Sequence, residues 1–183
     1  FGYKPDLVTF AKAVTSGYIP LGGVMVGNRV ADVLISQGGE FAHGYTYSGH
    51  PVACAVALAN LDIMESEQLP QRVRDDTGPY LANCFEAIAT HPLVGVAETC
   101  GLTAGLVLVK NKLTKARFAE ELSVGMMCRR HCFQNGLVMR AVGDRMIIAP
   151  PLTMTEADID EMIRLIRQAL DLTQQELVQK QLF

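Results

Sequence analysis

The stretch PDLVTFAKAVTSGYIPLGGVMVG, Pro5 to Gly27, sets one lysine among apolar and small residues. From Leu7 to Pro20, Lys12 is the only charged side chain. A lysine at a half-buried strand end can carry its ammonium to water along an apolar stem. The competing reading is chemical: an amine kept partly desolvated so that it can act as a nucleophile. The residues alone leave both readings open, and the first is the commoner situation. Before the lysine, KPDLVTFAK reads as turn-like; after it, LGGVMV at Leu21 to Val26 reads as a short apolar strand.

Working outward, 183 residues with a hydrophobic fraction of 49% describe a well-packed protein or part of one, not a disordered chain. A formal net charge of −3 with no basic run argues against nucleic acid or an anionic membrane surface as the main partner. No window approaches about eighteen apolar residues, and FGYKPDL lacks the cationic start of a signal peptide, so a cytoplasmic address is expected. Five scattered cysteines fit reduced, packed thiols and no disulfide framework. CRRHC, Cys128 to Cys132, brings two thiols onto one helical face beside His131. With no second Cys/His pair at ligand spacing, no metal is expected there.

RVADVLISQGG predicts a helix closed by Gly38 and Gly39. FAHGYTYSGHP reads as a polar, aromatic loop, followed by a helix with Pro51 in its first turn. After Pro70 the texture becomes an amphipathic charged helix interrupted at Gly78-Pro79, and a domain boundary is placed nearby, dividing 1–66 from 67–183. Strands LVGVAETC and LTAGLVLV follow, then a helix from about Lys115 to Gln134 and the strand GLVMRAV. A Gly143-Asp144 turn leads into RMIIAPPL as a hairpin, and TEAD, Thr155 to Asp158, caps a last helix. The fold class predicted is α/β followed by a smaller α+β unit.

Three ordered blocks carry a resemblance: PDLVTFAKAVTSGYIPLGGVMVG, HGYTYSGHPVACAVALAN and GLVMRAVGDRMIIAPPLTMTEADIDEM. Together they resemble the class III (omega) aminotransferases, pyridoxal-phosphate enzymes of fold type I, over Pro5 to about Leu172. Among these they are most similar to enzymes that act on putrescine or omega-amines with pyruvate. The resemblance implies the end of the large cofactor-binding domain followed by the small C-terminal domain. It puts the lysine that forms a Schiff base with pyridoxal 5'-phosphate at Lys12. It also implies that Thr46 hydrogen-bonds the cofactor phosphate of a neighbouring subunit, that Tyr45 lines the neighbour's substrate pocket, and that Arg140 binds the carboxylate of the amino acceptor. His43 and His50 read as structural, and Asp144 as a turn residue.

The implied activity is transfer of an amino group from a primary amine or omega-amino acid to pyruvate by a homodimer with interface active sites. A same-fold enzyme of other chemistry (aminomutase, decarboxylase, racemase) and an inactive truncated paralogue are the alternatives. The sequence departs from the family at Ala13, where glycine is usual, and at Thr99 to Gly105, TCGLTAG, where an arginine is missing. The family's aspartate for the pyridine nitrogen, its Gly-rich phosphate loop and its ring stacker belong upstream of Phe1. By itself, then, this stretch is not expected to catalyse.

Overall fold

The computed structural model describes residues 2–183, which form two compact units, residues 2–68 and 69–183. In the first unit, β1 (Leu7–Ala11) pairs antiparallel with β2 (Gly22–Val26), from Leu7 opposite Val26 to Ala11 opposite Gly22. The segment read as a turn before Lys12 is therefore a strand. Gly23 explains part of that outcome: a Cβ there would lie 2.5 Å from the Phe10 ring, which covers the bare backbone of its cross-strand partner. Asp6 closes the other end of the ladder. Its carboxylate takes both Arg29 Nε, at 2.9 Å, and Arg29 Nη2, while its carbonyl accepts from Gly27 N at 2.7 Å. The guanidinium holds the Asp6 carboxyl below its ordinary pKa.

Helix α1 (Asn28–Gln37) ends at Gly38, and Gly39 follows with φ +59°, as the glycine pair predicted. Helix α2 (Pro51–Ser66) starts with Pro51 at its first turn, where a missing N–H costs nothing. Its buried residues, Ala53 and Ala57, are small enough to admit a close backbone neighbour.

The second unit is a four-stranded antiparallel sheet backed on one face by helices. The predicted charged helix is split: α3 (Leu69–Arg72), a π-helical turn at Val73–Thr77, then α4 (Gly78–Ile88). Pro79 has no N–H to continue the α-helical ladder, so the chain takes an extra residue, with Gly78 N bonding Val73 O. Strands β3 (Val94–Cys100) and β4 (Thr103–Leu108) form a hairpin with Gly101 at φ +56° in its two-residue turn.

No helix spans Lys115 to Gln134: α5 covers only Val124–Gln134. Lys115 and Ser123 have φ of +58° and +48°, and Asn111 Oδ1 draws in the amides of Leu113 and Thr114 as a turn, so the preceding segment is a loop. Likewise GLVMRAV is extended only at β5 (Arg140–Val142), which pairs with β6 (Arg145–Ile148) across the Gly143-Asp144 turn. The sheet order is β3-β4-β6-β5.

Helix α6 (Glu156–Gln179) opens on the capping box foreseen at TEAD: Asp158 N reaches Thr155 Oγ1 at 3.3 Å, and Thr155 N reaches Asp158 Oδ2 at 2.9 Å. The core joins Leu81, Phe85 and Ile88 of α4 to Leu106, Leu108 and Met146 of the sheet and Ile159, Ile166 and Leu170 of α6. Cys128 and Cys132 are buried in it as free thiols. Among the described residues no group of three or more His, Cys, Asp or Glu could hold a metal, and no helix is long and apolar enough to cross a membrane.

Candidate active site

Lys12 stands where β1 ends and a 3-10 turn, Lys12–Thr15, begins. Its backbone is left-handed, φ +55°, a region that costs an L residue bearing a Cβ about 1–2 kcal/mol. The turn is held from within by Ser16 N to Ala13 O (3.0 Å) and Gly17 N to Lys12 O (3.2 Å). Thr15, fully buried, donates its hydroxyl to Ile19 O at 2.6 Å. From α2, Asn60 Nδ2 reaches Ala13 O at 3.1 Å and Val14 O at 3.2 Å. The Lys12 side chain is exposed and makes no ion pair among the described residues. It borders an open hollow of about 530 Å³ with Ala11, Gly17, Ile19, Pro20 and Leu21. The dry setting that a nucleophilic amine calls for is not supplied within this unit.

Tyr45 and Thr46 lie elsewhere in the same unit, on a loop that does not line that hollow. The loop closes on itself: Ser48 N donates to Tyr45 O at 2.9 Å and Tyr45 N to Ser48 Oγ at 3.0 Å. Gly49, φ +69°, then turns the chain into α2. Thr46 and Tyr45 are both exposed at this turn. His43 stacks edge-on between Phe41 and Tyr45, with centroids 5.9 Å from each, so it stiffens the loop.

Arg140 belongs to the second unit, at the start of β5. The register Glu98–Gly105–Ile147–Arg140 runs across the sheet on the face away from the helices. Arg140 is exposed there and also borders a groove of about 740 Å³ between its hairpin and α6, with Leu137, Ile147, Pro150 and Met162. The hairpin is pinned to α5. A Cβ on Gly125 would fall 2.0 Å from Gly143 O, and Asp144 Oδ1 accepts from Gly125 N at 3.1 Å. Asp144 is therefore more than a turn residue, because it satisfies a free amide at the start of α5.

The arrangement offers a free primary amine on a braced turn, a hydroxyl-bearing loop before a helix, and a guanidinium on an open sheet face. The residues at positions 1–170 match the family model described as aminotransferase class-III. The chain belongs to the class III aminotransferases. It is 55% identical over 173 residues to the putrescine–pyruvate aminotransferase of Pseudomonas aeruginosa, covering 94% of this chain and 38% of that protein.

Among solved structures, an (S)-enantioselective omega-transaminase from Thermomicrobium roseum matches with a TM-score of 0.87 at 41% identity, over 94% of this chain and 38% of that one. A PMP-bound aminotransferase from Vibrio fluvialis matches with a TM-score of 0.88 at 34% identity, over 95% and 39%. The chain thus spans about two fifths of the length of these class III aminotransferases. It carries part of their α/β architecture, fold type I, and the family is pyridoxal-phosphate dependent.

Sequence reading passed over Asn60, Thr15 and Asp6 as working parts of the Lys12 region. Asn60 did leave a trace: with Ala53, Ala57 and Met64 it shares one face of α2, and it is the polar member of that face.

Proposed function

We propose that the intact protein is a pyridoxal-phosphate-dependent aminotransferase that moves an amino group from a primary amine, putrescine or an omega-amino acid, to pyruvate. The observation that carries this reading is the free amine of Lys12, held on a left-handed, multiply hydrogen-bonded turn within a stretch that has no other charge. Residues 1–66 correspond in this reading to the end of the large domain and 67–183 to the small domain. The residues present fit the cofactor. Lys12 has an uncommitted amine to carry it covalently, and the Tyr45–Gly49 turn has the Thr46 hydroxyl and backbone amides available to a phosphate.

Pyridoxal phosphate, when bound, supplies the electron sink for breaking a bond beside the substrate nitrogen. Lys12 would take the proton from the substrate carbon beside the nitrogen onto its ε-amine and give it up to the carbon on the other side of that nitrogen, as base and then acid. Thr46 binds the phosphate and Tyr45 shapes the substrate pocket of a neighbouring subunit, so the enzyme works as a homodimer. Arg140 grips the acceptor carboxylate with its planar, bidentate fork. The groups that desolvate Lys12 lie outside the first unit. The unpaired cysteines suit a cytoplasmic enzyme.

The test is borohydride reduction of the intact, cofactor-loaded protein followed by peptide mapping, alongside keto acid consumption by Lys12→Ala. The pyridoxyl group is expected on Lys12, and turnover by the variant is expected to fall to background. Transamination retained by Lys12→Ala would sink the reading, while amine conversion without keto acid consumption would favour another reaction on the same fold.

A further inference from the structure

Within the first unit, the buried residues among those described are Thr15, Ala53 and Ala57, and all three sit where α2 meets the Lys12 turn. This is the packed point of the unit. Here Asn60 Nδ2 donates to two successive carbonyls, Ala13 O at 3.1 Å and Val14 O at 3.2 Å, 47 and 46 residues away in the chain, with Met64 Sδ of its own helix a longer contact at 3.7 Å. Because both partners are acceptors, the amide can face them only with its nitrogen.

The internal bonds of the turn do not do this job. Gly17 N goes to Lys12 O, Ser16 N to Ala13 O and Tyr18 N to Thr15 O, which leaves the Val14 carbonyl to Asn60. Thr15 has a single hydroxyl hydrogen and lies closer to Ile19 O, at 2.6 Å, than to Lys12 O, at 3.3 Å. Among the described residues, Asn60 is thus the side chain of another element that ties the turn down by hydrogen bonds. A left-handed lysine persists only where its surroundings over-determine it.

We propose that Asn60 is a positioning residue: its amide clamps the Ala13 and Val14 carbonyls and so fixes the direction in which Lys12 presents its amine. The inference rests on the reading of Lys12 as the reactive lysine. Asn60 touches neither cofactor nor substrate. It acts through the turn, and a misplacement of the amine by about 1 Å is enough to cost up to roughly a hundredfold in rate.

Two variants of the intact protein test this. Asn60→Ala removes both donors, and Asn60→Asp keeps the size while turning an acceptor toward two carbonyls. Hydrogen exchange is read in the cofactor-free protein for a peptide covering residues 12–18 and, as a control, for residues 94–108. Both variants are expected to speed exchange in the first peptide only, and to lower kcat by roughly ten- to a hundredfold with KM for amine and pyruvate changed much less.

Wild-type exchange at 12–18, an unchanged kcat, or exchange raised equally in both peptides would each overturn the proposal. Borohydride labelling of the wild type separates the two readings. A pyridoxyl group found off Lys12 refutes the assignment of the lysine, while the exchange measurement still reports whether Asn60 braces the turn.

Discussion

Lys12 and Arg140 are both exposed, and in each case the neighbouring backbone, more than the side chain's own contacts, sets where the charge stands. Lys12 inherits its direction from the end of β1 and a turn of φ +55°. Arg140 inherits its own from the β5–β6 pairing, which places it opposite Ile147 on the open sheet face. A guanidinium so placed can meet a carboxylate with two parallel N–H bonds, an interaction to a charged group worth about 1.5–3 kcal/mol. Arg140→Ala should therefore lower kcat/KM for pyruvate roughly ten- to a hundredfold while sparing carboxylate-free aldehyde acceptors. Steady-state kinetics with both acceptors decide it, and equal losses would remove Arg140 from carboxylate binding.

At the scale of elements, the contact between α5 and the β5–β6 turn is where backbone meets backbone. Gly125 lets the first turn of α5 approach Gly143 O so closely that a methyl group has no space, and Asp144 uses that proximity to cap Gly125 N. Gly125→Ala must push the helix and the hairpin apart, since neither partner is a side chain that can rotate away. The expected cost is about 1–3 kcal/mol in urea unfolding, as for other overpacked contacts. A variant as stable as the parent would show that the hairpin moves freely. The helix expected from about Lys115 begins only at Val124, because left-handed residues at Lys115 and Ser123 break the chain before it.

For the whole molecule, two buried or half-buried groups in the second unit tie stability to acid. His91 is buried, accepts from Leu93 N at Nδ1 (3.2 Å), and so carries its hydrogen on Nε2, which faces Asp171 at 3.2 Å. Burial pushes its pKa below the ordinary 6.5, with Asp171 opposing. The unfolded chain therefore takes up this proton first, and stability falls as pH drops through about 6.5. Glu176 accepts from Lys180, Arg130 and His131, and these hydrogen bonds, that of Lys180 foremost, bring its carboxyl down from 4.5 to about 2. Its contribution is complete above pH 4.5 and is lost as pH falls toward 2. Thermal melts against pH should show a loss beginning near 6.5 and a further one below 4.5. His91→Gln should flatten the first and Glu176→Gln the second, and melts indifferent to both changes would refute this account.

The sequence by itself determined what depends on neighbours along the chain. The capping box at Thr155 and Asp158, the Pro51 helix start, the Gly143 turn and the strands on either side of Gly101 are local devices, because each partner lies within a few residues. Family membership was equally legible, since the ordered blocks around Lys12, Thr46 and Arg140 are written in residue types. The tertiary structure alone decided which distant groups support those blocks. Nothing near Lys12 in the chain announces that Asn60 will bond its turn, or that Gly23 will lie under Phe10 and turn a turn-like segment into a strand. Nor does the sequence around Asp144 disclose Gly125. Hydrogen-bond partners far apart in the chain are chosen by how strands and helices pack, and that choice is made only when the chain closes on itself.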